Sequence, residues 1–417
     1  MEIKEKNKIS IRNALNIALD EEMDRDERVF VIGEEVGIMG GAYKVTRDLQ
    51  VKYGCHRVLD APISEMGFTG LAIGSCWGGL RPVVDFMTMN FALQAIDQII
   101  NSAAKTLYMS GGRIKSPIVF RGPNGFAYGV GAQHTQDFCN YYGSVPGLKV
   151  VAPYTAKDHR GLLKSAIRDE NPVVFLENEI LYNYDFDRCE SFENPEYLQP
   201  LDKAVIEIQG SDITLIGISI SMLICQEASQ ILKEEGISCE LINLISIRPI
   251  DIETLIKSVT KTRYLCVVDY TWPSFSTASE ISAQINEKCF HVLKSPVLRI
   301  NGEDIPTPYA ENLEKMSFPT VEKNDRRRGL ESGLNAEESW ERASMGVIMR
   351  SEMHDEPIPP LKEAKREEDG VKILKPKNNT PLISQGGTTL EEPTNNINEE
   401  SDLEEEKIVV KEVEENI

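Results

Sequence analysis

A carboxylate stands at the head of an almost uncharged run at residues 63–74, ISEMGFTGLAIG. Ser64 is a helix-capping type, because its hydroxyl can accept from amides left unpaired in a first turn; the spacing therefore predicts a helix opening at Glu65. Apolar residues and three glycines follow, and a helix that is apolar all round is expected to be buried and packed backbone-close. A lone carboxylate at its start is costly to ionise unless a partner uses it. The alternative is an acid that favours the positive helix end and faces water. Two further stretches carry suitable chemistry. Phe91 and Gln94 follow an apolar run at 81–87, and His134 lies within GVGAQHTQD, after the run 117–121. A flat aromatic, an amide and a carboxylate can hold a planar heterocycle, with the ring on Phe91 and its edge on Glu65. An imidazole moves protons near neutral pH. Taken singly, Phe91 reads as core and His134 as a structural loop residue.

These groups meet only if the elements before them end at one sheet edge. Short apolar runs at 29–33, 57–59, 81–87, 117–121, 149–152 and 173–177 read as strands. Helical spacing falls at 9–22, 44–53, 91–108 and 155–168, the last with Thr155 and Asp158 placed as a capping box. Continuous apolar strands alternating with helices predict a parallel sheet covered on both faces. In such sheets ligands bind beyond the carboxyl ends of the strands, where Glu65, Phe91 and His134 are expected. A second alternating set has strands at 213–218, 239–244, 264–268 and 296–300, with helices at 222–235, 251–260 and 278–288. The fold class is therefore α/β, two doubly wound parallel-sheet domains, expected at 1–185 and 201–325 with a linker at 186–200. Residues 326–417 are expected to be an acidic, largely disordered tail. Their last 27 residues, 391–417, hold eleven acids and two lysines, too few apolar groups to offset the cost of ordering.

Composition narrows the function classes. A net charge of −21 over 417 residues argues against a nucleic-acid partner, and no apolar run is long enough to cross a membrane. The eight cysteines form no CxxC pair and read as reduced thiols. The opening MEIKEKNKIS lacks an apolar signal core and an Arg-rich, acid-poor presequence. That favours the cytoplasm, with a mitochondrion or mitochondrion-derived organelle as the alternative. No GxGxxG follows a strand, no Walker A sequence is present, and no GDG with a downstream Asn, the magnesium-diphosphate signature of thiamine enzymes, occurs. The chain can recognise a ring but shows no phosphate cradle, as expected of a half-site completed by another polypeptide.

The segments ISEMGFTGLAIG, RPVVDFMTMNFALQAIDQIINSAAK, PIVFRGPNG, GAQHTQD, KSAIRDENPVVFLENE and LINLISIRPID together resemble the β subunit of the pyruvate-decarboxylating component of the pyruvate dehydrogenase complex. The similarity runs from about Ile9 to Pro319. It implies a pyrimidine-binding domain, a transketolase C-terminal-like domain and an α2β2 heterotetramer active only with its α subunit. It also implies thiamine diphosphate shared between subunits, with α holding Mg²⁺ and the diphosphate. By position, Glu65 would bond the aminopyrimidine ring nitrogen, Phe91 would pack on the ring with Ile63 and Gln94 close by, and His134 would face the reacting end. Pyruvate would lose carbon dioxide, and the acetyl unit would pass to a lipoyl group on the acyltransferase component, towards acetyl-CoA. Branched-chain 2-oxo acid or acetoin dehydrogenase subunits, or a non-catalytic scaffold paralogue, are the alternatives. The resemblance further implies a K⁺ site made by carbonyls of Ile118, Ala166, Ile167 and Asp169, with Asn171. An ordinary helix stop before Pro172 is the competing reading there. One departure stands out: VDYTWPSFSTASE, at 268–280, has Asp269 where the family commonly carries a glutamate.

Overall fold

In the computed structural model, residues 8–321 are described; the tail expected at 326–417 lies outside them. The chain enters as β1 (Lys8–Ser10) and a helix at Ile11–Arg25, capped by the Ser10 hydroxyl accepting from the Asn13 amide. Then come β2 (Val29–Gly33), β3 (Val58–Asp60), β4 (Arg81–Asp85), β5 (Val119–Pro123), β6 (Lys149–Val151), β7 (Val173–Glu177) and β8 (Asp185–Asp187). The second half adds β9 (Val205–Ile208), β10 (Ile213–Gly217), β11 (Cys239–Asn243), β12 (Ser246–Arg248), β13 (Leu265–Val268) and β14 (Leu298–Ile300). Every residue of β2, β5 and β7 is buried, as a strand covered on both faces requires.

Seven strands form one sheet in the order β12-β6-β7-β5-β4-β2-β3, and five form another, β14-β13-β10-β11-β9. Both are doubly wound and mainly parallel, but each carries one antiparallel strand that the apolar runs did not announce. β9 pairs antiparallel with β11, and β12, from the second half, pairs antiparallel with β6 of the first sheet. Three residues such as Ser246–Arg248 are too short for a periodic signal, so their pairing is decided by what lies beside them. One face of the large sheet is covered where the Ile11–Arg25 helix lies on the helix at Ala156–Arg168, burying Leu15, Leu19, Leu162 and Ile167. The other face buries Phe68, Phe86, Phe120 and Phe138. The expected capping box is complete: the Thr155 hydroxyl accepts from the Asp158 amide, and the Asp158 carboxylate accepts from the Thr155 amide.

Two local expectations are corrected. Ser64 does not cap its helix; its hydroxyl donates instead to the Pro62 carbonyl at 3.2 Å. The long helix expected at 91–108 is three unlike turns: a tight 3-10 turn at Phe91–Ala95, a wide π turn at Gln98–Ala103 and an α-helix at Ala104–Met109. The expected linker at 186–200 is tied to the first domain. β8 pairs with β1, and the Arg160 guanidinium donates to the carbonyls of Phe192 and Asn194 at 2.5 and 3.2 Å.

Candidate functional site

The carboxyl ends of three central strands are tied by one buried charge cluster. Arg121, in the middle of β5, donates to both oxygens of Glu177 at the end of β7, at 2.6 and 2.5 Å, and pairs with Asp85 at the end of β4. The Tyr182 hydroxyl adds a bond to Glu177 at 2.5 Å. Such a cluster is worth little against apolar packing but leaves a costly bare charge if one member is lost. It therefore holds the exits of β4, β5 and β7 in one arrangement. The Asp85 carboxylate also accepts from the Met87 amide at 2.9 Å, turning the chain toward Phe91.

On that base the expected residues come together. The helix at Glu65–Trp77 packs on the Phe91–Ala95 turn. The Phe91 ring meets the His134 ring edge-on, centroids 5.6 Å apart and planes at 89°. Glu65, Phe91 and His134 are each half-buried, Gln94 is exposed, and Ile63 stands 86% exposed at the rim. The cleft of 1150 Å³ between Tyr141, Arg248 and Phe275 includes none of them. The fully buried helix expected from Glu65 to Gly74 is corrected. It buries Phe68, Thr69, Ala72, Ile73 and Cys76, while Met66 and Leu71 are 62% and 57% exposed. A Cβ placed at Gly70 or Gly74 would meet nothing within 4 Å. One chain supplies a packing surface for one face of this helix, and the glycine face is left open.

Sequence reasoning passed over Glu34, which directly follows β2. Burial first, and then the charge of Glu65, raise its carboxyl above the usual range. Its Oε1 is buried without a hydrogen-bond partner. The signal was present, since an acid straight after an apolar strand occupies the ligand-facing end of a parallel sheet. Among the described residues no donor reaches the Glu65 carboxylate either. Two acids side by side and short of donors suit a heterocycle that offers ring N–H and amino hydrogens.

The His134 loop, residues 124–138, is closed at its neck. The Gly125 amide donates to the Gln136 carbonyl at 3.0 Å, and the Phe138 amide to Asn124 Oδ1 at 2.7 Å. Asn90, one residue before Phe91, accepts from the Gln136 amide at 3.3 Å. Asn178 donates to the carbonyls of Asn124 and Phe126 at 3.0 and 2.8 Å.

Of the positions expected to hold K⁺, Ala166, Ile167 and Asp169 close the Ala156–Arg168 helix and Ile118 precedes β5, and cations of the chain already stand at the helix end. Arg81 Nη1 donates to the carbonyls of Ile167 and Asp169 at 2.9 and 3.0 Å, and Lys149 pairs with the Asp169 carboxylate. The Ala166 carbonyl accepts from the Asp169 amide, that of Ile118 from the Val173 amide, and Asn171 donates to Asp169 Oδ1. The donor set is hard oxygen, as K⁺ prefers, and each carbonyl keeps one free lone pair. Among the described residues no cluster of three or more His, Cys, Asp or Glu side chains has metal-site geometry.

Two family models match. Residues 7–185 match the pyrimidine-binding domain of transketolase, and residues 202–323 match the transketolase C-terminal domain. The chain is 55% identical over 310 residues to a Dictyostelium discoideum protein named pyruvate dehydrogenase E1 component subunit beta, mitochondrial, covering 74% of this chain and 87% of that one. It is 52% identical over 314 residues to the human protein of the same name, covering 75% and 88%. Among solved structures, an inactive β4 tetramer of a split-gene transketolase superposes with a TM-score of 0.58 at 22% identity, over 72% of this chain and 91% of that one. That last likeness speaks to fold alone. The names correct the cytoplasmic expectation, because both relatives are named mitochondrial.

Proposed function

We infer the roles of these residues from one premise: this chain belongs to the family of pyruvate dehydrogenase E1 component β subunits, built on transketolase-type pyrimidine-binding and C-terminal domains. It is an enzyme subunit for the thiamine-diphosphate-dependent oxidative decarboxylation of pyruvate, and it works with an α subunit. When bound, the cofactor supplies the electron sink that lets a 2-oxo acid lose carbon dioxide.

The chain's own residues do the rest. Glu65 bonds the pyrimidine ring nitrogen and holds or returns a proton there from its carboxylate oxygen. Phe91 presents a flat face on which the ring packs, with Ile63 and Gln94 at the rim. His134, edge-on to Phe91, faces the reacting end. In the transfer of the two-carbon unit to a lipoyl disulfide on the acyltransferase component, the electron pair left on that unit by departing carbon dioxide breaks the S–S bond: one sulfur takes the unit, now oxidised to acetyl, and the other leaves as a thiolate. His134 supplies the proton that sulfur needs. The α subunit holds the diphosphate and Mg²⁺, in an α2β2 assembly. A K⁺ at the Ile118, Ala166, Ile167, Asp169 and Asn171 oxygens belongs to the same reading, seated beside Arg81 and Lys149 as a further charge on the helix end.

The observation that carries this reading is the meeting of three separate strand exits. The Glu65 helix packs on the Phe91 turn, and Phe91 touches His134. The test is Glu65→Gln, assembled with the α subunit. Turnover is expected to fall at least about 100-fold, while cofactor affinity changes less than about tenfold. Unchanged turnover would remove Glu65 from the chemistry.

A further inference from the structure

The loop that bears His134 is closed at its neck by its own domain, but its tip is held from elsewhere. The second domain ends in a short helix at Glu311–Met316. Its Glu314 is only 2% exposed. Glu314 Oε1 accepts from the Gly129 amide at 2.8 Å, a span of 185 residues along the chain. Among the described residues this is the one hydrogen bond reaching residues 127–133 from outside the loop. Apolar contacts from the same segment stand beside it. The rings of Phe126 and Phe318 lie 4.0 Å apart, and Tyr309 lies over Gly131, 3.5 Å from where a Cβ would stand. The Gly131 carbonyl in turn receives the His134 amide at 3.3 Å and the Thr135 hydroxyl at 2.8 Å, closing the turn that aims the imidazole.

A carboxylate buried to this degree is expensive unless its geometry is used, and an amide–carboxylate bond is a strong, directional tether. Gly129 and Gly131 both sit at positive φ, +68° and +73°, so the loop between them has no local preference stiff enough to set His134 by itself. The tether supplies what the loop lacks.

We propose that Glu314 is a positioning residue for His134: the second domain fixes the tip of the catalytic loop through the Gly129 amide, and so governs transfer of the acetyl unit rather than decarboxylation. This rests on the role given to His134 above. The test uses the assembled α–β enzyme and two assays. Pyruvate-dependent reduction of an electron-accepting dye reads decarboxylation, and acetylation of a lipoyl-bearing domain reads transfer. Displacing a reacting group by an ångström costs up to about 100-fold. Glu314→Ala is therefore expected to slow lipoyl acetylation at least about tenfold, with dye reduction within about twofold. Glu314→Gln keeps the accepting oxygen and should stay within about threefold of the parent in both assays. Glu314→Asp keeps the charge but withdraws the oxygen, and should reproduce the split of the alanine variant if that variant does not assemble. Combined with His134→Ala, the Glu314 changes should add less than about twofold to the transfer defect. Equal losses in both assays, no rescue by glutamine, or full additivity with His134→Ala would overturn the proposal. A His134→Ala enzyme with normal lipoyl acetylation would instead overturn the role of His134 itself.

Discussion

Asp269 is a buried carboxylic acid whose surroundings give it a measurable titration. It directly follows β13, with Oδ1 accepting from the Thr271 amide and Oδ2 from the Ala278 amide, both at 3.3 Å. Burial, and after it the nearby Asp137, push its carboxyl up to about 7. Burial raises Asp137 as well, although Asp137 accepts from the Cys139 amide at 2.8 Å. A carboxyl whose folded pKa lies above its unfolded value of about 4 holds more protons when folded. Its contribution to stability is therefore full below about pH 4 and is lost as the pH rises toward 7. Asp269→Asn cannot ionise and should flatten that slope. Urea unfolding between pH 4.5 and 7 should show the parent losing on the order of 2 kcal/mol more than the variant across the window. Parallel curves would mean that Asp269 is already ionised when folded.

At the scale of the element, the Glu65–Trp77 helix was read correctly in kind and wrongly in surroundings. Its apolar composition signals burial, but burial by a single chain covers one face only. Gly67, Gly70 and Gly74 follow one another at helical spacing, with Leu71 beside them, on the uncovered side. Glycine on a helix surface lets another backbone approach closely. Gly70→Leu is therefore expected to leave the isolated chain folded, or to stabilise it by about 0.5–1 kcal/mol through helix propensity. The same substitution should weaken assembly with the α subunit at least about tenfold, by blocking close approach. Sedimentation of the mixed subunits reads the second effect and thermal unfolding of the lone chain the first. Assembly as tight as the parent's would place this face outside the contact.

At the scale of the molecule, the ring-binding role proposed for Glu65, Phe91 and His134 leaves the diphosphate to the α subunit. Thiamine diphosphate with Mg²⁺ should leave the unfolding temperature of the isolated chain unchanged. With the α subunit present, ligand at about 100 times its dissociation constant should stabilise by about 2.7 kcal/mol, read as a rise in that temperature. A comparable rise for the chain alone would show that it holds the diphosphate unaided. The second domain is more than a companion in this arrangement. It lends β12 to the edge of the first sheet and Glu314 to the tip of the His134 loop.

The alternation of apolar runs and helical spacings was enough to declare two doubly wound sheets, because a strand buried on both faces must be apolar along its length. It was enough to place Glu65, Phe91 and His134 at strand exits, because connections in such sheets leave at the carboxyl ends. Contacts between distant segments were beyond it. β9 and β12 are short and carry no period, so they take their direction from the neighbour they pair with. The 91–108 stretch is apolar at helical spacing, yet three different windings share it once Phe91 must reach His134. The Ser64 hydroxyl had two acceptor or donor choices within reach, and local geometry gave it to Pro62. Composition sets how much of a chain must be buried. Which face is covered, and by what, is settled only when residues as far apart as Gly129 and Glu314 come within a hydrogen bond of each other.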